Sequence, residues 1–202
     1  STPEKIDHRI KVSKKQFGVN LIDALSKGAT DGVNLILNIG GMLLTFIAIV
    51  YAINWVLMDG IGAFTGLNAY VISSTNGTFE GFSLQYILGQ IFRFFAFVIG
   101  ISWSESLLVG SLLGQKFIVN EFVGYISLAE MKSSGVLSEH AIMISTYALC
   151  GFANLSSIGI QIGGIGAMAP SRREDLSLLG FKALVGASLT TLMTAAIAGA
   201  IF

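Results

Sequence analysis

Glu121 lies inside GSLLGQKFIVNEFVGYISL (residues 110–128), an apolar, glycine-punctuated stretch. Asn154, Ser156 and Ser157 interrupt a second such stretch, CGFANLSSIGIQIGGIGAMAP (150–170). A carboxylate or amide taken out of water is costly unless it meets a partner or lines a cavity. Glu121 therefore has two readings. Paired with Lys116 or Arg93, it would hold helices together; facing a cavity, it would bind a ligand or carry a proton, since desolvation favours the protonated acid. Asn154 and Ser157 stand at i and i+3, on one face if the segment is helical. Their amide and hydroxyl offer donors and acceptors suited to a sugar or an amide-bearing solute. The same groups also serve as hydrogen-bonding glue between membrane helices. Phe122 and Phe152 could stack on a ring or simply fill space.

The neighbours are less telling. Lys116 precedes Glu121 by five residues, which is not a same-face spacing, and a structural role suits it. Glu105 follows Ser102 at the spacing of a capping box. Arg93 could reach a lipid headgroup or a carboxylate. His8 and His140 lie in polar segments, so no metal site is expected within this chain. The chain shows no phosphate loop, nucleophile elbow or dithiol motif, and Cys150 is its one cysteine.

The elements that must position these groups are set by an unusual composition. Hydrophobic residues make up 53% and charged residues 12% of the chain, with 24 glycines and zero net charge; the mean hydropathy is +0.74. Soluble domains carry roughly 25% charged residues, so the fold class expected is an all-α integral membrane protein. Nothing basic enough to bind nucleic acid is present.

Residues 1–32 hold Lys5, Arg9, Lys11, Lys14, Lys15 and Lys27 and read as a cytoplasmic or interfacial segment, with a short amphipathic helix over 19–29. Residues 33–57 carry no charge and are long enough to span the bilayer; their Asn34, Asn38 and Asn54 should face protein. Residues 58–82 read as a loop. Over 84–128 we expect a re-entrant hairpin: a short apolar arm, a turn at 100–105, and a second arm running to about Leu128. After a loop over 129–140 comes a span over 141–169, broken at Asn-Leu-Ser-Ser. A charged loop at 170–175 and a final span over 176–202 complete the membrane domain, 33–202. Basic residues favour the cytoplasmic side. The first span then leaves the cytoplasm, the hairpin dips in from outside, the broken span returns, and the last helix exits. Two half-helices with polar interruptions near mid-membrane are the pattern of a transporter site.

Certain strings go further. Gly114-Gln115-Lys116, Asn120-Glu121-Phe122-Val123 and Ala148-Leu149-Cys150-Gly151-Phe152-Ala153-Asn154-Leu155-Ser156-Ser157-Ile158 resemble the concentrative nucleoside transporters. Ile22-Asp23-Ala24, Gly28-Ala29 and Trp103-Ser104-Glu105 fit the same family. The resemblance implies a homotrimeric symporter that takes up nucleosides such as uridine by alternating access in the plasma membrane, the inner membrane of a bacterium. It implies that this chain corresponds to the carboxy-terminal half, one repeat of an inverted pair. By motif position Glu121, Asn154 and Ser157 would bond ribose hydroxyls, with Phe152 close to the nucleoside. The cation site is expected in the other half; sodium is the commoner coupling ion and protons serve some members. A non-transporting membrane subunit is the rival reading. An enzyme is disfavoured because Glu121 has no evident nucleophile or metal partner.

Overall fold

A computed structural model describes residues 19–168 and 170–202, and every regular element among them is helical. Most of the expected interfacial segment, residues 1–18, lies outside the described residues. The chain divides into two compact units, Ser1–Ala52 and Ile53–Phe202.

In the first unit, helix α1 (Leu21–Trp55) starts where Asn20 caps it: the Asn20 Oδ1 accepts the N–H of Asp23 at 2.9 Å. Asp23 in turn accepts the Val19 N–H at 2.9 Å and the Lys27 ammonium at 2.8 Å. The Lys27 ammonium, then the Val19 N–H, hold its carboxyl below the ordinary carboxylate range. No boundary falls at residue 32. The expected separate helix over 19–29 is the first part of α1, because nothing between Ala29 and Val33 breaks the helical run.

Over residues 58–74 the second unit corrects the reading of 58–82 as a loop, while residues 75–82 are non-helical as expected. From the end of α1 the chain passes through a π-helical segment (Val56–Gly62) into helix α2 (Ala63–Thr65). The left-handed Gly66 (φ 77°) then leads into α3 (Leu67–Ser74). Asn68 holds this segment. Its amide donates to the Met58 carbonyl and its Oδ1 accepts the Phe82 N–H, both at 2.9 Å. Only glycine fits against it, since a Cβ at Gly81 would stand 2.6 Å from the Asn68 Oδ1. Asn54 plays a similar part at the start of α4 (Leu84–Val98): it accepts the Leu84 N–H at 2.8 Å and donates to Gln85 at 2.9 Å. Asn54 thus faces protein as expected. Asn34 is exposed, and the side chain of Asn38 lies outside those described.

Helix α4 and helix α5 (Ser106–Ile118) form the expected antiparallel pair, reversing at 99–105. Two glycines set their separation. A Cβ at Gly110 would stand 2.7 Å from the backbone of Gly89 and Arg93, and one at Gly89 would stand 2.8 Å from the Leu107 carbonyl. At the reversal the Arg93 guanidinium lies 3.9 Å over the Trp103 ring rather than against a carboxylate. Glu105 does not complete a capping box. One of its oxygens accepts the Ser102 hydroxyl at 2.7 Å, and the other reaches the Ser138 N–H at 2.6 Å, at the start of a later helix.

The second arm is shorter than the sequence suggests. Helix α5 stops at Ile118, and α6 (Glu121–Ser133) begins three residues on, running back along it. Ser127 on α6 donates to Gln115 on α5 at 2.8 Å, which requires the chain to have doubled back. The single arm expected over 105–128 is therefore two arms of a second hairpin, with its tip at Val119–Asn120. The turn at residues 134–138 contains a left-handed Gly135 (φ 67°), so the loop expected over 129–140 shrinks to five residues.

A break interrupts the helical run after Leu149. Helix α7 (Glu139–Leu149) ends before a non-helical stretch, residues 150–154, and α8 (Leu155–Met168) follows. Ser156 and Ser157, placed in the break by sequence, belong to α8. Pro170–Arg172 forms a 3-10 turn, not a charged loop. It leads into α9 (Arg173–Ile201), long enough with the Leu43–Thr65 helical stretch to give two membrane-crossing candidates among the described residues. The buried core of this unit gathers Ala96, Val109, Leu112, Leu128, Ile144, Ala148 and Ala195 from α4, α5, α6, α7 and α9. It fixes the half-helix ends that carry the polar groups.

Candidate substrate-binding site

Two helix beginnings meet in this unit. Helix α6 begins at the hairpin tip, where extended Asn120 caps it by accepting the Val123 N–H at 3.0 Å. Helix α8 begins at the break, where the Asn154 Oδ1 accepts the Ser157 N–H at 2.7 Å. A capping side-chain oxygen satisfies an amide left open by the first turn. Glu121, the first residue of α6, is half-buried, and its carboxylate accepts the Asn154 amide at 2.9 Å. Both helices present the positive ends of their dipoles to this region. A carboxylate is thus held where two helix N-termini favour negative charge.

The structure brings Glu121, Asn154 and Ser157 together. Asn154 is fully buried and Ser157 is 3% exposed. Asn154 is the hub: besides its bonds to Glu121 and to the Ser157 N–H, its Oδ1 accepts the Ser156 hydroxyl at 2.7 Å. The Ser157 hydroxyl donates to the Asn154 carbonyl at 2.6 Å. Phe152 lies in the break, two residues before the hub, with 54% of its surface exposed. It is free to lie against a ring that enters.

Three residues that the sequence left minor help to build the site. Asn120 supplies the cap that starts α6; its signal was the Asn ahead of a carboxylate and an apolar run. The Ser156 hydroxyl, whose proton goes mainly to Asn154, also lies 3.3 Å from the Val119 carbonyl, bringing α8 against the hairpin tip. Lys116, buried in α5, pairs with neither Glu121 nor any other described acid. Its ammonium donates to the Ala148 carbonyl at 2.8 Å and to the Thr191 hydroxyl at 3.0 Å. Among the described residues Glu121 is therefore paired with an amide, not with a cation, and its other oxygen has no partner.

Glu121 can accept hydroxyl donors through strong charge-assisted bonds, while the amide of Asn154 adds a donor beside it. Among the described residues there is no group of three or more His, Cys, Asp or Glu side chains able to hold a metal ion. The Ala148 carbonyl and the Thr191 hydroxyl, oxygens of the kind that sodium also favours, hold the Lys116 ammonium.

Interrupted helices carrying polar groups at their broken ends, in an all-helical apolar chain, are the arrangement of binding sites in membrane transporters. The chain belongs to the family described as Na+ dependent nucleoside transporter C-terminus, which it matches over residues 1–199. It is 39% identical over 184 residues to the nucleoside permease NupC of Helicobacter pylori, covering 90% of this chain and 41% of the permease. It is 34% identical over 196 residues to the sodium/nucleoside cotransporter 2 of Mus musculus, covering 91% of this chain and 28% of that protein. A solved structure of CNTnw in an inward-facing substrate-bound state is similar with a TM-score of 0.76. The identity to it is 40%, over 90% of this chain and 41% of CNTnw. The chain spans about two-fifths of the length of the bacterial relatives it matches.

Proposed function

We propose that the protein takes up nucleosides by alternating access, as a cation-coupled symporter, and that this chain supplies the ribose-binding part of the site. The observation that carries this reading is the 2.9 Å bond between Asn154 and Glu121. It joins a carboxylate from one broken helix to an amide from another and leaves acceptor and donor capacity beside each other. Adjacent ribose hydroxyls need such a pair. Glu121 accepts from the ribose, Asn154 donates to it, Ser157 contributes its hydroxyl oxygen, and Phe152 packs against the nucleoside.

In this reading the pocket faces each side of the bilayer in turn while its polar contacts stay assembled. Sodium is the coupling ion that the family description and the mammalian relative's name favour. A homotrimer in the inner membrane of a bacterium is the assembly and location that fit the family resemblance. Uptake of radiolabelled uridine into proteoliposomes tests the proposal. Concentrative uptake under an inward sodium gradient is the expected result. No uptake under either a sodium or a proton gradient would leave only a non-transporting membrane subunit.

A further inference from the structure

Lys116 is a buried ammonium, 4% exposed, with no described carboxylate within ion-pair distance. A buried charge normally finds a counter-charge; this one has found two neutral oxygens. The accounting at the end of α7 shows why. The carbonyls of Thr146 and Tyr147 both accept the N–H of Cys150, and the carbonyl of Leu149 accepts that of Gly151. The Ala148 carbonyl between them receives the Lys116 ammonium at 2.8 Å. The second acceptor is equally specific. Thr191 spends its own hydroxyl proton on the Ser188 carbonyl at 2.9 Å, so its oxygen can only accept from Lys116. A backbone carbonyl at the negative end of an interrupted helix, together with a hydroxyl oxygen, is the donor set that binds monovalent cations in transporters built from broken helices.

We infer that Lys116 is a tethered cation: its ammonium fills a monovalent-cation position at the broken end of α7, and no free ion enters there. The tether crosses three elements, from α5 to the end of α7 and to α9. It holds in place the segment 150–154 that delivers Asn154 to Glu121. Lys116 is thus a positioning residue for the nucleoside site assigned above, and the inference rests on that assignment only for its binding readout. Beside the ammonium lies a small cavity of about 30 Å³, lined by Phe92, Phe117, Ala153, Ser188 and Thr191. The Ser188 hydroxyl oxygen is buried there without a partner. Truncating Lys116 would join the space of its side chain to this cavity and leave room for a small ion.

The test uses the protein purified from membranes, with Lys116→Ala and Lys116→Met compared in choline, sodium and ethylammonium chloride. Thermal unfolding and uridine binding are both read. Lys116→Ala should unfold at lower temperature in choline and bind uridine at least about tenfold more weakly, because a buried carbonyl has lost its partner. Ethylammonium should restore both properties, and sodium should raise both by more than it does in the unsubstituted protein. Lys116→Met, which fills the space without charge, should be weakened, should not respond to ethylammonium, and should respond to sodium no more than the unsubstituted protein does. Native-like unfolding and uridine binding by Lys116→Met would overturn the inference, as would a Lys116→Ala protein that neither cation restores. Should Lys116→Ala not fold, Thr191→Val decides: a several-fold loss of uridine affinity supports the tether, and native affinity overturns it. If the unsubstituted protein bound no uridine, the nucleoside assignment would fail while the cation-dependent unfolding still tested the tether.

Discussion

The Asn154 amide donates to the Glu121 carboxylate across 2.9 Å, joining two residues 33 positions apart, each at the start of a half-helix. Asn154 caps its own helix with the oxygen of the same amide. One side chain thus starts α8 and orients the acid of α6. Replacing it disturbs structure and recognition together, whereas replacing its partner can disturb recognition alone.

Glu121→Gln keeps the shape and removes the charge. A hydrogen bond to a charged group contributes about 1.5–3 kcal/mol, so uridine affinity should fall roughly 10- to 100-fold while the unfolding temperature changes little. Isothermal titration alongside thermal unfolding checks this. Near-native affinity would remove Glu121 from the ribose site.

Asn154→Ala should lower the unfolding temperature by several degrees as well as abolish tight binding. It deletes a cap worth about 1 kcal/mol and leaves the Glu121 carboxylate without its amide. Ser157→Ala removes only local bonds, to the Asn154 carbonyl at 2.6 Å and from the Asn154 N–H at 3.4 Å. It should leave unfolding nearly unchanged and weaken uridine binding several-fold. Equal losses of stability in the two variants would contradict the hub role of Asn154.

Gly110→Ala places a methyl group 2.7 Å from the backbone of Gly89 and Arg93, where nothing flexible can give way. Overpacking of this kind costs about 1–3 kcal/mol, and thermal unfolding in detergent should show it. Gly159→Ala is the control: its Cβ meets nothing within 4 Å, so a neutral or slightly stabilising effect is expected.

Trp103→Ala removes the ring beneath the Arg93 guanidinium. A cation–π contact contributes about 0.5–2 kcal/mol, and Trp103→Phe should keep part of it. Denaturant unfolding of the two variants would expose the order; a Phe variant weaker than the Ala variant would exclude the contact as a stabilising one.

The residues that mark the site were legible because their chemistry conflicts with their surroundings: an acid, an amide and hydroxyls within apolar runs have few innocent explanations. The break before α8 was legible for the same reason, with Gly151 and Asn154 punctuating the apolar sequence. The hairpin tip was harder. Phe117-Ile118-Val119-Asn120-Glu121-Phe122 contains neither glycine nor proline, and its one local signal is the capping asparagine. Once the tip is known, Glu121 moves from the interior of an arm to the first turn of a new helix. Residues 58–74 were misread because serine, threonine, glycine and asparagine favour turns locally, while Asn68 fixes a helical course through bonds to Met58 and Phe82. Such long-range bonds leave no periodic trace. Lys116 was read as structural, but its acceptors on α7 and α9 lie 32 and 75 residues away, beyond any pattern of spacing.

The bond from Ser156 to the Val119 carbonyl has a mechanical consequence. It is the weaker branch of a hydroxyl proton given mainly to Asn154, so it seconds the Asn154–Glu121 bond, and separating the hairpin tip from the start of α8 would strip the buried Asn154 amide of its partner. A gate placed between them would be stiff. In the proposed alternating-access cycle the cheaper motion carries the joined pair as one piece, with the parting surfaces elsewhere on the molecule.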